Sequence, residues 1–209
     1  MVHKNLMFLF MTLLIMLAVI GGCVEKEANQ QPAVGGDTMP KKGKILFVVA
    51  QKDFRDEELS KPKKILDDAG YATRVASITT DFAYGAMGAK IKPDLAVKDA
   101  KAEDYEYVVV VGGSGAPKLA DYPEVLELLG NAKKVAAICA GPMVLARAGV
   151  LNGKNATVFK SQELLDALEQ GGANFLDKSV VVDGTTVTAN GPGAAEEFGK
   201  KMLEVLEKG

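Results

Sequence analysis

One short segment of the sequence could hold a nucleophile for chemistry: Ala137-Ile138-Cys139-Ala140-Gly141-Pro142. Cys139 directly follows a buried apolar run, and a helix is predicted to begin within one or two residues of it. A strand that turns sharply into a helix pushes the side chain at the turn into a crevice. The positive end of that helix would favour thiolate and lower the thiol pKa from its free value of about 8.5. We therefore expect a reactive cysteine, the alternative being an inert cysteine in the core.

A glycine-rich segment, Gly112-Gly113-Ser114-Gly115-Ala116-Pro117, also follows an apolar run. Its glycines could line the other wall of the crevice and offer an N–H group to an oxyanion, as could the small residues Ala140 and Gly141. The segment does not fit a dinucleotide fingerprint, because Lys118 stands where the third glycine belongs, and no phosphate-loop Gly-Lys-Ser/Thr follows. Taken alone, it is typical of a tight turn.

Glu58 lies near the start of the first predicted helix, in Phe54-Arg55-Asp56-Glu57-Glu58-Leu59. Acidic residues in a first turn ordinarily interact with the helix dipole. A partly buried carboxyl group at this place would have a raised pKa. Protonated Glu58 could then donate a hydrogen bond to a thiolate or a sulfinate.

These residues must be positioned by elements in which apolar strands alternate with amphipathic helices. Strands are predicted at 44–50, 73–78, 107–111, 135–138, 156–159, 180–182 and 187–189, the last two joined as a hairpin, and helices at 57–69, 124–129, 141–148, 162–169 and 194–207. Continuous Val/Ile runs indicate parallel strands that are covered on both faces. We predict a doubly wound α/β domain, a three-layer sandwich with helices on both faces of a mostly parallel sheet. Its crevice would lie past the strand ends, at 51–58, 112–117, 139–142, 159–161 and 190–193.

The composition restricts the chemistry that is available. The only histidine is His3, at the extreme N-terminus, so a domain without that terminus has no Ser-His-Asp triad, no Cys-His dyad and no His-ligated metal. We expect no metal and no cofactor. The net charge of −2 gives no electrostatic case for nucleic acid as a partner.

The N-terminus resembles a prokaryotic lipoprotein signal. Lys4 precedes an apolar run, residues 6–20, that is short for a membrane span, and Ile20-Gly21-Gly22-Cys23 resembles a lipobox. We predict a signal peptide at 1–22, lipidation at Cys23, a flexible polar tether at 23–43 and the domain at 44–209. The domain would then be extracytoplasmic and anchored to a membrane through lipid. The alternative is an uncleaved anchor with an incidental cysteine.

Four segments together resemble the DJ-1/PfpI family: Glu58-Leu59-Ser60-Lys61-Pro62, Val110-Val111-Gly112-Gly113, Ala136-Ala137-Ile138-Cys139-Ala140-Gly141-Pro142 and Asn190-Gly191-Pro192-Gly193. They occur in the order and spacing of that family, and the resemblance runs from residue 44 to the C-terminus. It implies a flavodoxin-like sheet, a reactive Cys139 with Glu58 as its carboxyl partner, and backbone donors at Gly113 and Ala140. Gly112, Gly141, Phe159 and Pro192 would line the crevice. A homodimer or larger assembly is also implied, with the crevice near the subunit contact.

The chain departs from that family at its imidazole positions. Protease-like members carry His directly after the cysteine, where this chain has Ala140, as in the DJ-1 type. DJ-1-type members can carry His after the next strand, where Phe159 and Lys160 stand here. A Cys-His hydrolase is therefore in doubt, and Glu58 and Lys160 are the remaining proton carriers, although a lysine such as Lys160 is more often a solvated surface residue.

Three functions stay open, and we favour the first. Cys139 could react with an oxidant or small electrophile in a redox or stress response, its oxidised sulfur stabilised by protonated Glu58. It could instead attack reactive carbonyls in a cysteine-dependent glyoxalase-like or deglycase-like enzyme, or act as a PfpI-like peptidase or hydrolase, with Glu58 moving the proton. The third function is a non-enzymatic binding module.

Overall fold

The secondary structure alternates as the sequence pattern predicts. A computed structural model describes residues 42–208. Its strands are β1 (Lys44–Val48), β2 (Lys52–Phe54), β3 (Ala72–Ser77), β4 (Ala83–Gly85), β5 (Lys90–Ile91), β6 (Leu95–Ala96), β7 (Tyr107–Val110), β8 (Val135–Ile138), β9 (Asn155–Ala156), β10 (Asn174–Phe175), β11 (Val180–Asp183) and β12 (Thr186–Ala189). Its α-helices are α1 (Asp56–Asp68), α2 (Pro123–Gly130), α3 (Gly141–Arg147), α4 (Gln162–Gln170) and α5 (Ala195–Lys208), and short 3-10 helices span Val97–Asp99, Ala102–Asp104, Ala116–Asp121 and Pro192–Ala194.

The central sheet has seven strands in the order β11-β12-β8-β7-β1-β3-β6. Every neighbouring pair is parallel except the β11–β12 hairpin. All residues of β7 and β8 are buried, because helices cover both faces of a doubly wound sheet. The predicted mostly parallel, flavodoxin-like α/β fold is confirmed.

Alternate side chains of each strand enter two separate cores. Leu46 and Val48 face α2, α3 and α4, whereas Ile45 and Phe47 face α1 and α5. Full burial of each such side chain stabilises the fold by roughly 1.5–3 kcal/mol. The two cores hold the carboxyl ends of β1, β7, β8 and β12 together at one edge, where the predicted crevice residues follow.

The first helix is fixed by an unusually close approach to the last one. A Cβ atom on Gly199 of α5 would lie only 2.8 Å from Pro62 Cα of α1. Pro62 lies inside α1 and has no N–H group for the carbonyl four residues earlier, which is that of Glu58. Contact between the two backbones therefore sets where the first turn of α1 lies, and with it Glu58.

Two predicted regions differ in detail from the structure. The strand expected at 156–159 is only Asn155–Ala156, which pairs with β10 in a separate two-stranded sheet. The stretch between the strands predicted at 73–78 and 107–111 contributes β4 and β5, which join β2 in a three-stranded sheet. Such short strands lack the apolar run that identifies longer ones.

The predicted signal peptide, Cys23 and nearly all of the predicted tether lie outside the described residues, so lipidation stays a prediction. Between residues 42 and 208 no helix is both long and apolar enough to cross a membrane.

Candidate active site

Cys139 occupies a sharp turn between β8 and α3. Its φ angle of 62° lies in the left-handed region, which residues other than glycine rarely adopt and which costs about 1–2 kcal/mol. The Cys139 N–H donates to the Ala189 carbonyl at 2.8 Å, and the Cys139 carbonyl accepts from the Phe159 N–H at 2.9 Å. These two bonds tie the turn to β12 and to the segment after β9. The turn thus has the conformation expected of a nucleophile elbow.

The residues after the cysteine begin a helix, as predicted. Ala140 is the N-cap of α3, and Pro142 stands in its first turn, where the missing N–H of proline costs nothing. Gly141 packs against β7, since a Cβ there would lie 2.7 Å from the Val110 carbonyl oxygen. The backbone N–H groups of Ala140 and Gly113 lie beside the Cys139 sulfur and act to lower its pKa. The two expected backbone donors therefore meet at the thiol.

Glu58 lies against the same cysteine from the opposite wall. A Cβ atom on Gly112 would collide with Glu58 Oε2 and would stand 2.5 Å from Cys139 Cβ, so only glycine leaves room between these side chains. Glu58 is fully buried, and neither carboxyl oxygen makes a hydrogen bond of good geometry within residues 42–208. Burial raises the pKa of Glu58 to about 7, although the nearby Cys139 thiol, Arg55 and the Gly112 N–H act to lower it.

The thiol pKa is raised as well, and here the sequence-based expectation is wrong. Burial and then the charge of the Glu58 carboxylate raise the pKa of Cys139 to about 11, and the N–H groups of Gly113 and Ala140 do not offset this. The start of the helix is therefore not enough to ionise the thiol while Glu58 is charged. Because the two groups interact, they titrate as a pair that loses one proton near pH 7 and the second near pH 11.

A cavity of about 530 Å³ opens above the pair. Cys139 is partly exposed at its wall. Of the four residues named for the crevice, Phe159 and Pro192 line this cavity, whereas Gly112 and Gly141 are buried and do not. The other lining residues are Arg55, Glu58, Ala86, Gly113, Ser114, Pro117, Ala140, Ser161, Glu163 and Leu164. Phe159 is half exposed. The cavity is large enough for a small organic molecule and not only for water.

Two other expectations concern proton carriers and metals. Lys160 lies on the surface, 64% exposed, with its Nζ 2.6 Å from Asp177 Oδ2, and does not line the cavity. Across residues 42–208 no three His, Cys, Asp or Glu side chains are close enough to hold a metal ion. Glu58 is thus the titratable acid that the structure places at the sulfur.

Arg55 and Ser161 lie in the predicted crevice segments 51–58 and 159–161, but no role was predicted for either residue. Ala86, Glu163 and Leu164 also line the cavity and lie outside all of the predicted segments. Position signals Glu163 and Leu164, because they follow directly after the crevice segment 159–161, whereas no local pattern signals Ala86.

A strand, a strained cysteine turn and a helix, with a buried carboxyl across a glycine loop, define a flavodoxin-like α/β protein with a cysteine nucleophile site. The DJ-1/PfpI family model matches residues 43–205, and the chain belongs to that family. It is 34% identical over 166 residues to the glutathione-independent glyoxalase DJR-1.2 of Caenorhabditis elegans, covering 78% of this chain and 88% of the relative.

Other relatives agree with this assignment. The deglycase PfpI of Pyrococcus furiosus is 29% identical over 168 residues, covering 78% of this chain and 99% of the relative. The crystal structure of a ThiJ/PfpI domain protein from Brachyspira murdochii superposes with a TM-score of 0.75 at 35% identity, covering 80% of this chain and 98% of that one. Relatives in this family thus include a glyoxalase and a deglycase.

Proposed function

We propose that this protein is a cysteine-dependent enzyme that adds its Cys139 sulfur to small reactive carbonyl compounds, in the manner of a glyoxalase. The observation that carries the proposal is the meeting of the sulfur, two backbone N–H donors and one buried carboxyl group at the wall of an open cavity. The relatives named glyoxalase and deglycase support this reaction class over the redox role favoured by the sequence.

The state of the pair after it has lost one proton decides its reactivity. We infer that the remaining proton lies on Glu58 and the negative charge on sulfur. The sulfur is partly exposed to the cavity and lies beside the N–H groups of Gly113 and Ala140, whereas the Glu58 oxygens are fully buried and lie beside one backbone N–H group, that of Gly112. A negative charge is therefore better solvated on the Cys139 sulfur than on the Glu58 oxygens. A thiolate and a protonated acid are then both present at neutral pH.

The reaction follows from this arrangement. The thiolate forms a bond to the carbonyl carbon, and the π electron pair moves to the oxygen, which Glu58 protonates. In a 2-oxoaldehyde such as methylglyoxal, Glu58, now a carboxylate, moves the proton from the adduct carbon to the neighbouring carbonyl carbon. The proton of the adduct hydroxyl passes to the neighbouring oxygen, so that the adduct becomes the thioester of a 2-hydroxy acid. Water then releases a 2-hydroxy acid and the thiol. Glu58 thus carries each proton, and no imidazole is needed.

The test is consumption of methylglyoxal by purified protein that begins at Lys42, measured with 2-hydroxy acid production. We expect turnover in the parent protein and its loss in Cys139→Ser, because an alcohol is not ionised at this pH. Lys160→Gln is the matched control and should retain activity, since Lys160 is remote from the cavity. Equal background rates in parent and Cys139→Ser would overturn the proposal, and a non-enzymatic binding module would then be favoured.

A redox or stress-response role is the second candidate. Cys139 is the only cysteine between residues 42 and 208, so an oxidised sulfur has no second thiol there with which to form a disulfide. The two N–H donors and protonated Glu58 would instead stabilise a sulfinate. Mass spectrometry after peroxide treatment separates the roles, because a sensor accumulates oxidised Cys139 at low peroxide and consumes no carbonyl compound.

The assembly and the membrane anchor remain proposals of their own. Phe82, Tyr84 and Met87 are 46%, 47% and 61% exposed and flank Ala86, which lines the cavity. An apolar surface beside the cavity suits the homodimer that the family resemblance implies. Sedimentation of the parent protein and of Met87→Lys would test it, and Cys23→Ser in the full chain would move the protein out of the membrane fraction if lipid anchors it.

A further inference from the structure

One charged side chain in the cavity wall is not used by the proposed chemistry. Arg55 is the N-cap of α1, and its N–H donates to the Gly112 carbonyl at 3.0 Å, so its backbone is fixed to the glycine loop. Its side chain is 32% exposed and lines the cavity together with Cys139 and Glu58. The charge of the guanidinium group acts to lower the pKa of Glu58, so the group lies near the Cys139–Glu58 pair.

The hydrogen-bonding capacity of this guanidinium is only partly used. Glu57 lies beside it, with Oε2 at 2.9 Å from Arg55 Nε and Oε1 at 3.4 Å from Nη2. Of the five N–H donors of an arginine, only one on Nη2 makes a hydrogen bond of good geometry within residues 42–208, and the buried Nε makes none. Donors remain for a planar oxygen pair, for which arginine geometry is well matched.

The charges that face the cavity favour an anion near Arg55. Arg55 is the single cationic side chain among the lining residues that the structure describes. The backbone N–H groups of Gly113 and Ala140 add partial positive charge next to the sulfur. Two negative side chains oppose this positive charge. They are Glu163, which is exposed near the start of α4, and Glu57, which pairs with Arg55.

We propose that the cavity selects a small carbonyl compound that carries a carboxylate, with Arg55 binding the carboxylate while the Cys139 sulfur adds to the carbonyl. This rests on the proposed function. The carbon–sulfur bond forms, the π pair moves to the carbonyl oxygen, and Glu58 supplies the proton, so no oxidant or further reactant is needed. A 2-oxoaldehyde that also carries a carboxylate has the chemistry for the whole reaction, whereas glyoxylate can form only the first sulfur adduct because its neighbouring carbon is the carboxylate. Arg55 sets the preference for such anions over a neutral aldehyde.

The test compares two alkylating reagents, iodoacetate and iodoacetamide. Both form one carbon–sulfur bond and release iodide, and they differ mainly in whether a carboxylate is present. The ratio of their labelling rates at Cys139 should fall about ten- to a hundredfold in Arg55→Gln, since a charge-assisted hydrogen bond to the reagent is lost. Any change in thiol ionisation affects both rates equally and cancels in the ratio.

Two further variants make the result specific. Arg147→Gln removes an exposed arginine at the end of α3, outside the cavity, and should leave the ratio unchanged. Glu57→Gln removes the competing carboxylate and should raise the ratio. An unchanged ratio in Arg55→Gln, or an equal fall in Arg147→Gln, would overturn the proposal.

Labelling does not require turnover, so the two proposals fail separately. Parent protein that prefers iodoacetate through Arg55 but does not consume methylglyoxal would refute the enzyme and leave the anion site standing. If the protein turns over methylglyoxal but its labelling ratio does not depend on Arg55, the anion site is refuted and the enzyme stands.

Discussion

The location of the shared proton can be tested by replacing Glu58 with glutamine. In the parent protein we expect Cys139 to react with neutral iodoacetamide with a midpoint near pH 7, because the first proton lost by the pair comes from sulfur. The amide side chain of the Glu58→Gln variant still donates an N–H to the thiolate, but this bond is weaker than that from a carboxylic acid. Hydrogen bonds to charged groups contribute about 1.5–3 kcal/mol, and loss of about half of that lowers labelling at pH 7 roughly tenfold.

The assay is the initial rate of iodoacetamide labelling, followed by intact-protein mass spectrometry from about pH 5.5 to about pH 11, a range that covers both steps of the pair. Glu124→Gln serves as the control, since Glu124 stands in the first turn of α2 and does not line the cavity. The opposite assignment of the proton gives opposite results. If Glu58 is the charged member, the parent midpoint lies near pH 11, and Glu58→Gln labels faster because the repelling charge has gone. Faster labelling in Glu58→Gln would therefore refute our inference.

Three further predictions concern stability. In the folded state the Cys139–Glu58 pair loses its first proton near pH 7, whereas Glu58 in the unfolded chain loses its proton near pH 4.5. The folded state therefore binds more protons between these values, and stability falls as pH rises through this window, by on the order of 3 kcal/mol. Thermal melts at about pH 4.5 and about pH 8 should show this loss in the parent and not in Glu58→Gln, and identical pH profiles would contradict it. Gly112→Ala should lower the free energy of unfolding by about 1–3 kcal/mol, since its Cβ would collide with Glu58 and Cys139. The control Gly130→Ala has open space around its Cβ and should be neutral or stabilising. Equal melting temperatures for the two variants would argue against the close packing at Gly112. Cys139→Gly should melt about 2–4 °C above Cys139→Ala, because only glycine adopts the positive φ angle without cost; a higher melting temperature for the alanine variant would show that the turn is unstrained.

The position of the nucleophile could be predicted because it depends on local pattern alone. A cysteine between an apolar run and a glycine–proline helix start lies at the carboxyl end of a strand in any parallel sheet, and Glu58 after β1 reaches the same edge by topology. The pairing of the short strands β2, β4, β9 and β10 could not be predicted, since it depends on tertiary contacts and not on periodicity.

The thiol pKa was not predictable for a different reason. The sequence suggests a helix start that favours thiolate, and it suggests a raised pKa for Glu58, but it contains no measure of how deeply the sulfur is buried. Desolvation is the largest cause of the raised pKa of Cys139, and it exists only after the two cores have formed around the site. Arg55 lies within a predicted crevice segment, but its ion pair with Glu57 is a tertiary detail that the pattern does not contain.

The left-handed turn at Cys139 has an evolutionary consequence. A cysteine there makes the fold less stable than glycine would, so the reactive group is retained although it costs stability. A descendant that no longer needed the sulfur could gain stability by a single change to glycine and keep every element of the sheet. Glycine at this position in an otherwise similar chain would thus mark lost chemistry, without any assay of that chain.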